Sequence, residues 1–260
     1  EFSVNELRQH YGLTATQAQA VLARMGEEGW IQKKPGYGWE FSPMLTTPDS
    51  LLQSYRLRLA VEPVAAALAA SLPCTARRLG PVPDRIEALV AALEASSSSD
   101  VIVTSGGASV GDHDLILPAL EAWGARIDFW KIAVKPGKPL LVAQRGRQIV
   151  LGLPGNPVSS FVTAWLFLLP LLRRLSGAAD PLPRNQTARL AQELGAGGER
   201  REFLRGVLLD GEVTPALAQD SGALAALAGS NCLIDRPADS AVLPAGTAVP
   251  VYPLENGGIA

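Results

Sequence analysis

Between residues 71 and 180, short apolar runs alternate with longer helical stretches, a rhythm that few architectures accept. ARRLGPVP leads into a helix over residues 84–95, DVIVTS reads as a strand, and LILPALEAWG reads as a helix. DFWKIAV and QIVLGL are further strand candidates, and PVSSFVTAWLFLLPLLRRLSG is a long apolar helix. Such alternation predicts an α/β fold with an open, mostly parallel sheet and helices on both faces. Ligands of these sheets sit beyond the carboxyl ends of the strands. Two loops hold that position in the sequence, TSGGASVG (104–111) and LPGNP (153–157), each after a strand and before a helix.

The flanks have a different pattern. In residues 1–45, Ser3 with Glu6 and Thr14 with Gln17 are spaced as capping boxes. They open the helices VNELRQHYG and ATQAQAVLARMGEEG, the second closed by Gly29. WIQKKPGYGWEF alternates around Pro35-Gly36 and Gly38, as a β-hairpin does. Helix, turn, helix and hairpin is the order of a winged helix-turn-helix. In that fold Thr16, Gln17 and Gln19 would enter a DNA major groove, with Lys33 and Lys34 on phosphates. The same five residues also suit ordinary solvated helix and hairpin positions. Four basic residues against five glutamates in this stretch predict weak DNA binding, since phosphate neutralisation supplies most non-specific affinity. Residues 46–70 read as a helical linker. Residues 181–260, with TARLAQEL, REFLRGVLL, EVTPAL and TAVPVYPL between Gly, Pro and Asp turns, predict a small β domain with one short helix in SGALAALAGSN.

Composition narrows the function classes. A net charge of −2 over 260 residues gives no global pull toward nucleic acid or anionic membrane. Cys74 and Cys232 lack metal-type spacing and fit a reducing cytoplasm better than a disulfide framework. No basic-then-apolar leader is visible. FVTAWLFLLPLL (161–172) is too short to span a bilayer and contains Pro170, so a cytoplasmic protein without membrane attachment is expected.

The loops suggest an anion site. Strand, TSGGASVG and helix put successive backbone N–H groups around an anion; Gly106 and Gly107 allow close approach, and Thr104, Ser105 and Ser109 add hydroxyls. A structural Gly-Gly turn is the other reading, and neither a Walker A loop nor a GxGxxG fingerprint is present. KIAVKPGKP (131–139) gathers Lys131, Lys135 and Lys138 around Pro136-Gly137, which suits a multiply charged anion. Asp84, Asp112 and Asp114 supply carboxylates for a cation or a positioned water, or serve as helix caps. In LPGNP, Pro154 and Pro157 fix the backbone around Gly155 and Asn156.

From about residue 72 to 256 the chain resembles the molybdopterin molybdenumtransferases, the MoeA and gephyrin E-domain family. TSGGASVGDHD, DFWKIAVKPGKPL, GLPGNPVSS and REFLRG…QDSGALAALAGSNCLI match it in order and spacing. The resemblance implies an enzyme of molybdenum cofactor biosynthesis that uses Mg2+, inserts molybdate into adenylylated molybdopterin and releases AMP. It assigns catalysis to Asp84, Asp114, Lys131 and Lys135, and the metal to Asp112 and Asp114. Substrate binding falls to Thr104, Ser105, Gly106, Gly107, Ser109, Lys138, Pro154, Gly155, Asn156 and Pro157. The family's first strand and its two further N-terminal domains are not matched, which implies an unpaired sheet edge and a homodimer. Residues 1–45 resemble the DNA-binding domain of GntR-type transcriptional regulators, and SYRLRLAVEPVAAALA (54–69) resembles the first helix of a ligand-sensing domain in that family. The chain therefore reads as a fusion, with a non-catalytic molybdopterin-binding module and a DNA-binding regulator as the alternative functions.

Overall fold

The computed structural model describes residues 4, 8–9, 12–27, 31–34, 38–41, 64–106, 115–219 and 224–254. The chain divides into two compact units, residues Glu1–Leu57 and Arg58–Ala260. In the first, helix α1 (Ala15–Glu27) opens with the expected capping box. The Gln17 N–H donates to Thr14 Oγ1 at 3.3 Å, and the Thr14 N–H donates to Gln17 Oε1 at 2.9 Å. Ala18 and Leu22, one turn apart on α1, are buried. Strands β1 (Ile31–Lys34) and β2 (Gly38–Phe41) pair antiparallel, from Ile31 opposite Phe41 to Lys34 opposite Gly38, as the hairpin pattern predicts. The Ser3–Glu6 box, Gly29 and the Pro35-Gly36 turn lie outside the described residues.

The second unit starts with α2 (Val64–Ala70), whose Leu68 enters the core, and α3 (Ile86–Glu94). Then come β3 (Val101–Ser105), α4 (Ile116–Ala122), β4 (Arg126–Trp130), β5 (Val134–Lys135), β6 (Leu141–Arg145), β7 (Gln148–Leu153) and the long helix α5 (Pro157–Leu175). Four of these strands form a sheet in the order β3-β7-β6-β4. Only β3 and β7 are parallel; β7 with β6 and β6 with β4 run antiparallel. The expectation of a mostly parallel sheet is thus corrected. Parallel neighbours need a long crossover, whereas β6 reaches β7 through the two-residue turn Gly146-Arg147, with Gly146 at φ +60°, and no helix separates β4 from β6.

Helices do cover both faces. Successive β7 residues point to opposite layers: Val150 packs with Leu93, Ile116, Leu120 and Trp123 of the α3–α4 side, while Leu151 packs with Phe161, Val162, Trp165 and Leu168 of α5. Helix α5 carries a π turn over Ala164–Leu168, just ahead of Pro170, which has no N–H to offer the preceding turn. By length and composition its 19 residues are enough to cross a bilayer, yet Phe161, Val162, Ala164 and Leu168 are buried within the fold. It is a core helix here. Among the described residues β3 ends the sheet, and residues 75–83 form neither helix nor strand.

The remaining strands are β8 (Gln186–Leu190), β9 (Arg201–Leu209), β10 (Glu212–Pro215), β11 (Cys232–Arg236) and β12 (Ala248–Pro253), with the short α6 (Leu224–Ala228) where one helix was expected. They run β10-β8-β12-β11-β9, and β9 also pairs with β10, which closes the ring into a small barrel. Ala188, Leu190, Val213, Ile234, Val251 and the free thiol of Cys232 fill it. Phe203 and Leu233 of the barrel reach into the α5 core, and Tyr252 meets Trp165 edge-on at 5.8 Å. Strand β5 joins the barrel sheet rather than its own: Val134 and Lys135 pair in parallel with Arg201 and Glu202.

Candidate functional site

Because β3 and β7 are parallel, with Ser105 opposite Leu153, the loops after them leave the sheet side by side. The Gly106 N–H donates to the Leu153 carbonyl at 3.1 Å. Gly106 has φ +84°, and a Cβ on Gly155 would stand 3.3 Å from Gly106 Cα, so the loops touch backbone to backbone. A side chain on Gly155 would press against Gly106, whereas one on Gly106 would meet Gly155 at an ordinary 3.9 Å. Among the described residues Thr104 Oγ1, at the base of the loops, is buried without a hydrogen-bond partner. Pro154 is buried and Gly155 exposed. Asn156 Oδ1 accepts from the Ser159 N–H at 3.0 Å and Pro157 fills the first helical turn, so this pair fixes where α5 starts. The side-chain oxygen of Asn156 is thereby committed to the helix.

The lysine turn is anchored twice. Gly137 is buried at φ +118°, and a Cβ there would lie 2.3 Å from Thr163 Cγ2 on α5. The turn therefore rests on the helix that LPGNP opens. Strand DFWKIAV is not continuous, as Lys131 adopts φ +74° and separates β4 from β5. Such a φ is uncommon for any residue but glycine, because the Cβ crowds the backbone, and it marks the position as constrained. The Lys131 N–H donates to the Leu140 carbonyl at 3.0 Å, and its Nζ stands 3.7 Å from the centre of the Trp130 ring. The Ile132 N–H donates to the Lys138 carbonyl at 2.9 Å, which closes the turn, and Lys138 is exposed.

The second anchor comes from the barrel. Lys135 Nζ lies 3.0 Å from Glu202 Oε1, while Arg236 donates to Glu202 Oε2. The Glu202 side chain is 4% exposed, against 47% for Lys135. Burial pushes the Glu202 carboxyl up, but hydrogen bonds from Lys135 and Arg236, aided by their charges, outweigh it and hold it below the ordinary range. Arg201 makes a two-pronged bond to buried Asp235 at 2.7 and 2.5 Å, and Arg200 donates to the Val134 carbonyl at 3.4 Å. The reading of REFLRGVLL as a short run of a small β domain missed these partners. A glutamate set among arginines in an otherwise apolar strand was the available signal, since a buried carboxylate requires paired cations.

Other expected residues are not joined to this group. Asp84 is exposed ahead of α3, where Arg85 rather than Asp84 takes the cap position, without a side-chain bond. Gly107, Ser109, Asp112 and Asp114 lie outside the described residues. Among the described residues no cluster of three or more His, Cys, Asp or Glu could hold a metal ion. Of the DNA candidates, Thr16, Gln17 and Gln19 are exposed on α1, but Gln17 is engaged in the capping box. Lys33 and Lys34 sit on β1 opposite Trp39 and Gly38.

Comparison with known proteins adds to the geometry. The family described as "Probable molybdopterin binding domain" matches residues 44–174, and the "MoeA C-terminal region (domain IV)" matches residues 187–254. The first match takes in the segment read as a helical linker. A molybdopterin molybdenumtransferase of Haemophilus influenzae is 34% identical over 192 residues, covering 71% of this chain and 47% of that protein. One from a Nostoc species is 36% identical over 170 residues, covering 62% and 39%. The chain thus spans less than half the length of these relatives. A solved structure of a molybdopterin biosynthesis MoeA protein from Pyrococcus horikoshii superposes with TM-score 0.56 at 30% identity, covering 67% of this chain and 42% of that one. A molybdenum cofactor biosynthesis protein from Pyrococcus furiosus shares the fold at TM-score 0.53 and 24% identity, covering 66% and 56%.

Proposed function

Because the chain belongs to the molybdopterin binding domain family, we propose that it serves molybdenum cofactor biosynthesis by holding adenylylated molybdopterin at the loops beyond β3 and β7. The observation that carries this is the junction of Gly106 with Gly155 at one sheet edge, with the lysine turn fixed to the helix that LPGNP opens. The hydroxyls of Thr104, Ser105 and Ser109 and the backbone of Gly107 would receive the phosphate, with Gly106 allowing its close approach. Lys131, Lys135 and Lys138 would balance its charge, and Lys131 and Lys135 would stabilise the charge on the departing AMP as molybdate enters the dithiolene. Asp84 and Asp114 are the proposed catalytic carboxylates, with Asp112 and Asp114 as donors for Mg2+, in a cytoplasmic homodimer.

The test is to incubate the purified chain with adenylylated molybdopterin, molybdate and Mg2+ and to measure AMP. Release that is lost in Lys131→Ala and Lys135→Ala supports the enzyme. Tight binding without AMP identifies the non-catalytic module, and no binding refutes the assignment. A second activity, DNA contact by residues 1–45, is favoured by exposed Thr16 and Gln19 on a capped helix followed by a hairpin. A gel shift that weakens steeply with salt would support it.

A further inference from the structure

The Lys135 side chain is held from outside its own domain. Its backbone is laddered to Glu202 on β9, and its ammonium is bonded to the same residue's carboxylate. Glu202 is in turn fixed from the far side by Arg236, its cross-strand neighbour on β11, whose side chain is 11% exposed and whose guanidinium also donates to the Gly195 carbonyl at 2.7 Å. A buried carboxylate between two cations, one exposed and one enclosed, has little freedom, and neither does the group it holds. The ammonium has three donors, of which one faces Glu202, so two remain for a ligand on the exposed side.

We propose that Glu202, backed by Arg236, is a positioning residue that presets Lys135 for an anionic ligand, so that the barrel domain sets the geometry of the α/β domain's anion site. The inference rests on Lys135 being an anion-binding lysine. Its sign separates it from plain electrostatics. A negative charge beside the site repels an anion, so deleting it would tighten binding if charge were its only effect. If Glu202 acts by holding Lys135, deleting it weakens binding instead, because an unrestrained lysine loses side-chain freedom each time it engages the ligand.

Pyrophosphate titrated calorimetrically into the full chain is the probe. Lys135→Met is expected to weaken binding roughly tenfold, the scale of one charge-assisted contact. Glu202→Gln is expected to weaken it about fivefold in the wild-type background, on the order of one immobilised side chain, and to cause no further loss in Lys135→Met. Thermal melts establish which variants fold. Should Glu202→Gln not fold, Glu202→Asp keeps the charge while drawing it back by one methylene, and the same pattern is expected. Tighter binding by Glu202→Gln, or an equal loss in both backgrounds, overturns the positioning role. Unchanged binding by Lys135→Met instead overturns the anion-site reading beneath it.

Discussion

Gly137 offers a quantitative test of how the lysine turn is seated. In Gly137→Ala the new methyl would lie 2.3 Å from Thr163 Cγ2, more than an ångström inside the usual carbon–carbon contact of about 3.5–4.0 Å. Thr163 has no room to retreat: it is fully buried, and its hydroxyl donates to the Ser159 carbonyl at 2.7 Å. The φ of +118° adds a backbone cost of about 1–2 kcal/mol for any side chain, and overpacking adds about 1–3 kcal/mol. Gly137→Ala should therefore destabilise the chain by about 2–5 kcal/mol. Thr163→Ser removes only the offending methyl and keeps the hydroxyl, at about 1 kcal/mol. In the double variant the nearest Thr163 atom to the new methyl is Cβ at 3.8 Å, an ordinary contact. The overpacking cost then vanishes, leaving about 2–3 kcal/mol and a favourable coupling of about 1–3 kcal/mol. Urea unfolding of the four proteins, followed by circular dichroism, measures that coupling. Additive costs, within about 0.5 kcal/mol, would refute the seating of the turn on α5.

Two further outcomes can be checked with the same unfolding assay. Lys131→Gly should be about 0.5–1 kcal/mol more stable than Lys131→Ala, because relief of the left-handed backbone outweighs glycine's extra unfolded-state entropy; the reverse order would show that φ is not positive there. Glu94 accepts bonds from Arg145 Nη1 and Trp123 Nε1, each at 2.7 Å, and these, the Arg145 bond foremost, hold its carboxyl below the ordinary range. A carboxyl lowered in the folded state stabilises above its unfolded value of about 4.3 and loses that contribution as pH falls through its folded value. Wild type should exceed Glu94→Gln in urea midpoint near neutral pH, with the gap narrowing as pH falls below about 4.3; a gap independent of pH would exclude the linkage.

What was legible in the sequence was what neighbours in the chain decide. The Thr14–Gln17 box, β3 with its glycine exit, the Asn156-Pro157 start of α5 and α6 each depend on residues within a turn or two. Sheet order was not legible, because β6 went unrecognised in LVAQR and the Gly146-Arg147 turn with it. Lys135 is visible in the sequence as one lysine of a basic turn, but its partner lies on a strand of another domain, where sequence spacing carries no information. Gln148 makes the same point: its buried amide donates to the Ser96 carbonyl at 2.8 Å and to the Ser99 carbonyl, tying β7 to the chain before β3. An isolated glutamine at a hairpin exit gives no hint of that.

The parallel pairing of β3 with β7 also sets a timetable for the nascent chain. Val101 lies opposite Ile149, and at about 5–20 residues per second the roughly 50 intervening residues take about 2–10 s to emerge from a ribosome. Through that interval the apolar VIVTS segment waits for the strand on which its loop must rest. Lys135 waits longer still, because Glu202 is made only after α5 and the first barrel strand. During synthesis, then, the Lys135–Glu202 contact is among the later ones to form, and a ribosome stalled before β9 would carry the lysine turn without the carboxylate that holds it.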